Sequence, residues 1–496
     1  MKVLLCSPPM KYRTHGQEPT IFKGKEMGNY PSIGILSLAT YLKENSSHTL
    51  KMVDAFYDSM TGDGMMETLR EFDPNVVGIT SYTHTLYGIS QFIEAVKSYN
   101  KEIKIVIGGP HTQLFRKEIT HWENVDYVIG GDGEYALLNL LNALENKSNI
   151  NEVEGVSFIG DDGGFMDGGH NIIEDLDTLP NIDLGFFDHK QAYCTIGINK
   201  TCASIVTSRG CPFKCTFCLS ASTDYRMRDL ENVIEEMKKY ISTGVTEFMI
   251  WDELFNINAK RVIEFSKKVI EHDIKVNWSF RGSVNAMDDE MLYWAKKSGC
   301  YRIQIGVEVG TEEALVKIKK GIKLDQIRDA IKRCKEHGIV TCTNWIFGFP
   351  FETREELEKS LNFAIELDTD FAEFNVLLPF PGAHEYKEGV KQNLLDPKNV
   401  DAHLAKPRAD FQFQVFENHL TRKELYDFAD HAYKRFYYRP KYIFNQLFKI
   451  KSFFALRKRI YGALTVFRGA HPLLKRLFGL NLKPKTQLDD ADNLVS

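Results

Sequence analysis

The chain has 496 residues, 43% of them hydrophobic and 26% charged, with a formal net charge of -5. That length exceeds one ordinary domain and the apolar share fills two or three cores, while so small a net charge gives no global footing for nucleic acid as a partner. The chain lacks a run of roughly eighteen apolar residues, which excludes a predicted membrane-spanning helix. Nine cysteines with no extracellular context read as reduced thiols in a cytoplasmic setting. The opening Met1-Lys2-Val3-Leu4-Leu5-Cys6 is too short an apolar run for a signal peptide and reads as a first strand.

Up to about residue 145, short apolar runs alternate with amphipathic stretches. Strands are predicted over Lys2–Cys6, Thr49–Asp54, Val76–Ser81, Ile103–Gly108 and Tyr127–Gly130, with helices such as Leu36–Lys43 and Ile89–Tyr99 between them. Strand–helix alternation of this kind predicts a doubly wound, Rossmann-like parallel sheet over 1–148, whose ligands bind beyond the carboxyl ends of the strands. Those ends read Ser81-Tyr82-Thr83-His84, Gly108-Gly109-Pro110-His111 and Gly130-Gly131-Asp132-Gly133-Glu134. Glycine there permits close backbone approach, and hydroxyls offer hydrogen bonds to a polar ligand. Residues 149–195 read as a connector with a hairpin turn at Gly160-Asp161-Asp162-Gly163-Gly164.

Three cysteines follow in Ser208-Arg209-Gly210-Cys211-Pro212-Phe213-Lys214-Cys215-Thr216-Phe217-Cys218. Three thiolates at such short spacing wrap one iron–sulfur cluster and, in a four-iron cluster, leave one iron open for a substrate or cosubstrate. A zinc knuckle would call for a fourth Cys or His close by, and the next dozen residues have none. Cys6, Cys194, Cys202, Cys300, Cys334 and Cys342 are scattered among apolar neighbours and read as small core residues, with Cys194 and Cys202 near enough to the motif to stay in view as further ligands. Strand–helix alternation then continues over 196–392, with strands predicted at Ala203–Ser208, Glu247–Trp251, Lys275–Phe280, Tyr301–Ile305, Val340–Ile346 and Phe371–Leu377. About six such units predict a partial (β/α) barrel with reactive groups at the carboxyl ends of its strands.

The cysteine spacing, with Phe217 before the last cysteine, resembles the radical SAM superfamily, in which S-adenosylmethionine (SAM) chelates the open iron of a 4Fe–4S cluster. The loops at the ends of the first sheet, above all Gly108-Gly109-Pro110-His111 and Gly131-Asp132-Gly133-Glu134, resemble the subfamily with a cobalamin-binding domain ahead of the radical SAM domain. The resemblance implies cluster ligation by Cys211, Cys215 and Cys218. It implies SAM contacts from Phe217, Asp252, Glu253, Arg281, Glu308 and Gly348. Cobalamin contacts are implied for Ser81, Tyr82, Thr83, Gly108, Gly109, Pro110, His111, Gly130, Asp132, Gly133 and Glu134. Arg281 follows the third barrel strand, where a guanidinium suits a carboxylate of SAM or of the substrate. Glu308 lies in Gly306-Val307-Glu308-Val309-Gly310, similar to the family's Gly-Val-Glu-Ser-Gly. The loop after the first strand lacks the Asp-x-His-x-x-Gly of cobalamin-dependent mutases, which implies no protein histidine beneath cobalt.

The resemblance implies a deoxyadenosyl radical used to methylate an unactivated carbon of a lipid or other hydrophobic metabolite. The alternatives are a radical cyclase or rearrangement enzyme on the same scaffold and a non-catalytic cobalamin or redox sensor. An electron donor such as flavodoxin or ferredoxin is implied as a partner.

Residues 393–496 read as a helical tail. From His431 to Leu480 there are twelve Lys and Arg and no Asp or Glu. Pro440 suits a helix start, and Ile443, Leu447, Ile450 and Phe454 fall on one helical face before Arg457-Lys458-Arg459. Such a helix lies on an anionic membrane surface, packs on the barrel, or clamps an acidic partner. Nucleic acid is the least expected of these, and the acidic end Gln487–Ser496 reads as disordered.

Overall fold

The computed structural model describes residues 1–7, 28–194, 196–199 and 201–448. Five parallel strands lie side by side in the order Thr49–Asp54, Lys2–Ser7, Val76–Thr80, Lys104–Gly108 and Tyr127–Ile129. Their near-continuous apolar runs are explained by burial on both faces. Val3 and Leu5 pack with Ile35, Leu36, Ala136 and Leu137 of helices Ile33–Asn45 and Gly133–Asn146. Leu4 and Cys6 pack with Met65, Leu69 and Ile89 of helices Gly62–Phe72 and Leu86–Tyr99.

The hairpin closed by Gly160–Gly164 forms as predicted but does not stay in a free connector. Strand Val156–Ile159 pairs antiparallel with Tyr127–Ile129 and with Phe165–Met166, extending the first sheet to seven strands. Val156 and Ser157 are 2% and 0% exposed, so pairing satisfies backbone groups that burial takes from water.

The second sheet has six parallel strands in consecutive order, Ala203–Ile205, Glu247–Ile250, Asn277–Gly282, Cys300–Glu308, Val340–Phe347 and Phe371–Val376. Right-handed crossovers in one direction put the helices on one side and give the partial barrel. Helix Ala259–Glu271 shows how the sequence dictates this. The Asn258 side chain accepts from the Arg261 N–H at its start, and Val262, Phe265 and Val269 form the buried stripe. That stripe meets Trp278, whose ring centroid is 5.0 Å from that of Phe265.

The region after residue 393 departs most from expectation. Helix Pro397–Ala405 returns to the first sheet, where Trp122 donates from Nε1 to the Leu404 carbonyl at 2.6 Å. Val400, Leu404, Phe411 and Phe413 join the first sheet's core. Helix Arg422–Tyr437 covers the last barrel strand, and the hydroxyls of Tyr433 and Tyr437 accept from the Phe374 and Ala372 N–H groups at 3.1 and 3.0 Å. These bonds occupy an edge that would otherwise stand open. Helix Pro440–Phe448 docks through the Tyr442 hydroxyl on the Asp370 carbonyl at 2.7 Å and through Arg439 on Asp368 at 3.1 Å. The described part of the basic segment thus packs on the barrel. The Leu447 side chain, Ile450, Phe454, Arg457–Arg459 and Gln487–Ser496 lie outside the described residues. Among the described residues no helix is long and apolar enough to cross a membrane.

Candidate functional site

The cysteine loop leaves the carboxyl end of the first barrel strand. Ser208–Arg209 pairs with Arg226–Met227 at its base. Gly210 has φ +87°, and a Cβ there would lie 2.1 Å from the Asp224 carbonyl oxygen, so only glycine fits the turn. The Cys211 N–H donates to Thr223 Oγ1 at 2.9 Å, the Thr223 N–H to the Cys211 carbonyl at 3.1 Å, and the Ser222 N–H to the Phe213 carbonyl at 2.7 Å. Folded back in this way, the loop brings Cys211, Cys215 and Cys218 within electrostatic reach of one another, and burial pushes all three thiol pKa values up. Iron taking the place of those protons suits such thiols. Among the described residues no three His, Cys, Asp or Glu side chains converge on a single ion.

Lys320 is the neighbour that sequence reading missed. Its ammonium donates to Glu308 Oε1 at 2.8 Å and stands 5.8 Å from the centre of the Phe217 ring. Glu308, 6% exposed, sits at φ +72° where the strand register shifts. A left-handed conformation at a non-glycine residue is strained, and such strain collects at functional sites. Nothing in the charged run Lys317–Lys323 distinguishes Lys320 in sequence. Phe217 packs edge-on against Phe349 at 5.8 Å. The turn at Gly348, φ +96°, is held by Glu352 Oε2, which accepts from the Gly348 and Phe349 N–H groups at 2.8 and 3.0 Å.

The two acidic residues after the second strand separate. Asp252 is fully buried and its oxygens accept from the Thr207 N–H, Thr207 Oγ1 and Ser208 Oγ at 2.6–2.7 Å. It braces the strand leading to the cysteine loop and has no face toward a ligand, which redirects the expectation of a SAM contact. Glu253 is exposed beside it. Arg281 stacks on Trp251, 4.2 Å from the ring centre. Cys194 and Cys202 pack with Met249, Tyr30 and Trp251 in a small apolar cluster.

The loops at the carboxyl ends of the first sheet divide in the same way. Tyr82 and Pro110 are exposed and Gly108, Gly109 and Thr83 partly so. Ser81 is turned inward, its hydroxyl donating to the Gly108 carbonyl at 2.7 Å. Gly109, φ +99°, is required by that packing, since a Cβ would meet the Ser81 nitrogen at 2.7 Å. His111 is 2% exposed, with Nδ1 on Thr83 Oγ1 at 3.0 Å and a buried Nε2 that has no hydrogen-bond partner among the described residues. Gly130 is buried and Gly133 packs against Leu38. Asp132 and Glu134 reach across to the barrel, where Arg209 Nη1 lies 2.7 Å from Asp132 Oδ1 and Arg209 Nη2 lies 2.7 Å from Glu134 Oε1. Arg226 holds the other oxygen of Asp132 at 2.5 Å. These carboxylates join the two sheets. The orphaned His111 nitrogen and the exposed Tyr82 and Pro110 remain suited to a large polar ligand such as cobalamin.

Two sheets therefore present their carboxyl ends to one another, with a thiol loop on one and glycine-rich turns on the other. The Radical SAM superfamily matches residues 205–364 and the B12 binding domain matches residues 21–141. The chain belongs to the radical SAM superfamily and carries a B12 binding domain ahead of the radical SAM region. It is 29% identical to an uncharacterised methyltransferase of Pyrococcus horikoshii over 94% of this chain and 99% of that one. It is also 29% identical to the anaerobic magnesium-protoporphyrin IX monomethyl ester cyclase of Rubrivivax gelatinosus, over 94% of this chain and 82% of that one. Among solved structures, the fold is similar to that of the cobalamin-dependent S-adenosylmethionine radical enzyme OxsB, with TM-score 0.69 at 15% identity, covering 99% of this chain and 75% of that one.

Proposed function

We propose that the protein is a radical SAM enzyme that uses a 4Fe–4S cluster and cobalamin to methylate an unactivated carbon of a small molecule. The observation that carries this reading is the thiol loop at the carboxyl end of the barrel, tied through Arg209 to the turn at the carboxyl end of the first sheet. When bound, the cluster and SAM supply a 5′-deoxyadenosyl radical and cobalamin a transferable methyl group. Cys211, Cys215 and Cys218 would hold three irons of the cluster and leave one open. Lys320 and Glu308 offer a cation and an anion to the zwitterionic end of SAM. Phe217 and Phe349 keep water from the cluster face. The exposed Tyr82 and Pro110, with the Gly108–Gly109 backbone, line the cobalamin side. A flavodoxin- or ferredoxin-type donor supplies the electron. Exposed Ile443 and Phe444 beside Lys441 are the described feature that supports membrane contact.

The relative named as a cyclase, as similar as the methyltransferase, keeps a non-methylating outcome as the second reading. The test is anaerobic reconstitution with iron, sulfide and cobalamin, followed by SAM and a strong reductant. Release of both 5′-deoxyadenosine and S-adenosylhomocysteine supports methylation, and deoxyadenosine alone favours the second reading. Neither product from a cluster-loaded protein overturns both.

A further inference from the structure

The inner face of the barrel sheet is open and polar. Outward residues Phe280, Ile303, Ile305, Trp345, Phe347 and Phe374 are at most 1% exposed beneath the helices. The alternate residues Arg281, Gln304, Asn344 and Glu373 keep partial exposure, and alternation along a strand places them on the opposite, inner face. The register sets Arg281 beside Gln304 and Asn344 beside Glu373. Gln304 Nε2 donates to Asn344 Oδ1 at 3.1 Å and reaches Glu373 Oε2 at 3.5 Å. A face needed only for packing would be apolar.

Its charges are also unbalanced. Among the described residues no carboxylate lies within ion-pair distance of Arg281, whose guanidinium stacks on the face of Trp251. Arg302, 2% exposed, stands one residue pair deeper on the neighbouring strand. It donates to Ser279 Oγ at 3.2 Å and to Cys194 Sγ at 3.7 Å, and its buried Nε has no acceptor among the described residues. Again no carboxylate is within ion-pair distance among the described residues. Glu373 and Glu253 are the nearby carboxylates, neither within ion-pair distance, and burial pushes the Glu373 pKa up. Neither guanidinium has an ion-pair partner among the described residues, and buried charge without a partner is costly.

We propose that Arg281, backed by Arg302, receives an oxyanion of the small-molecule substrate, a carboxylate or phosphate, while Gln304 and Asn344 bind a polar group next to it. The assignment of this face to the substrate rests on the radical SAM reading. It adds an anionic group to the expected lipid or other hydrophobic metabolite. SAM brings a carboxylate of its own, but Lys320 lies beside the cysteines to meet it, whereas the charged neighbours of Arg281 are Glu373, Arg302 and Glu253.

The test is equilibrium dialysis of the reconstituted protein against benzoate, phenyl phosphate, the neutral isostere benzamide and, separately, SAM. Wild type, Arg281→Gln and Arg281→Lys are compared, with iron content as the folding control. The expected result is retention of benzoate or phenyl phosphate over benzamide, and which of the two is retained names the oxyanion. Arg281→Gln should weaken that binding by at least about tenfold, the size of one charge-assisted contact, with Arg281→Lys in between and SAM affinity held within about twofold. Loss of SAM binding in Arg281→Gln with the probes unaffected would overturn the proposal, as would benzamide binding as well as the anions or no retention at roughly 10 mM. Absence of deoxyadenosine from wild type would sink the catalytic reading while leaving an Arg281-dependent anion site standing.

Discussion

Arg209 and Glu134 stand 75 residues apart in sequence and are joined by a 2.7 Å bond between the two sheets. Arg209 lies two residues before Cys211 and Glu134 opens the helix at the end of the first sheet, so the pair fixes the cysteine loop against the cofactor turns. Glu134 has a side chain only 4% exposed and also accepts from Ser37 Oγ at 2.6 Å. Arg209→Gln would strand that carboxylate, at a cost of about 3–5 kcal/mol. The expected outcome is faster amide exchange at 131–134 and 208–212 and a lower thermal midpoint. The double variant Arg209→Gln/Glu134→Gln should recover part of the loss, because both charges are then gone. A double variant no better than the single one would show that the two residues do not act as a pair.

The cysteine assignments separate cleanly by metal content. Cys211→Ala, Cys215→Ala and Cys218→Ala should each lose the iron and sulfide uptake of the wild type. Cys194→Ala and Cys202→Ala should keep it, since both sit in the apolar cluster with Met249. Iron loss in either of the last two would extend the ligand set.

Lys320 should matter for SAM as well as for the fold, because its removal strands the buried Glu308 carboxylate. Lys320→Met removes the cation paired with Glu308, and the expected result is at least about a tenfold loss of SAM affinity, with Lys320→Arg retaining part of it. Dialysis of SAM against cluster-loaded protein checks this, and unchanged affinity in Lys320→Met would remove Lys320 from the site.

What the sequence disclosed follows from range. The ligand spacing of Cys211, Cys215 and Cys218 is local, and each buried parallel strand shows as an apolar run, so the cluster loop and both sheets were legible. Lys320 and Glu308 lie twelve residues apart, and Trp122 meets Leu404 across 282. Such pairs leave no periodic trace. The same limit explains why the partners of Asp132, Glu134 and Asp252 within the chain could not be read from sequence. A carboxylate or imidazole in a loop has the same letter whether its partner is a cofactor or another part of the chain.

Two buried imidazoles give the protein an acid limb. His111 and His403 are 2% and 0% exposed, and burial lowers their pKa values to about 3 and about 4. His111 faces Thr83, Phe115 and His403. His403 stacks on Phe411 and has Arg408 and Asp410 as charged neighbours. The folded chain keeps both neutral while the unfolded chain protonates them near pH 6.5, so stability falls as pH drops below that value. Each contributes up to about 2 kcal/mol of loss by pH 5. Thermal midpoints measured from pH 7 to pH 5 should fall less steeply in His111→Gln and His403→Gln than in wild type. Parallel slopes in all three would mean that other groups set the acid limb.

Glu352 reverses that logic. It is 2% exposed, and burial pushes its pKa up to about 8 against the pull of its two backbone bonds. Its Oε1 has no partner among the described residues. At pH 7 the folded chain keeps the proton that the unfolded chain gives up, so stability falls as pH rises from about 4.5 toward 8. Glu352→Gln preserves an acceptor for the Gly348 and Phe349 N–H groups without a charge to desolvate, and should match or exceed wild type in thermal midpoint at pH 8. Glu352→Ala strands both N–H groups and should cost about 1–3 kcal/mol for each. It should also loosen Phe349 against Phe217 beside the cluster, seen as faster bleaching of cluster absorbance in air. If Glu352→Gln falls as far as Glu352→Ala, the ionised carboxylate itself holds the turn, and its proton is lost well below pH 8.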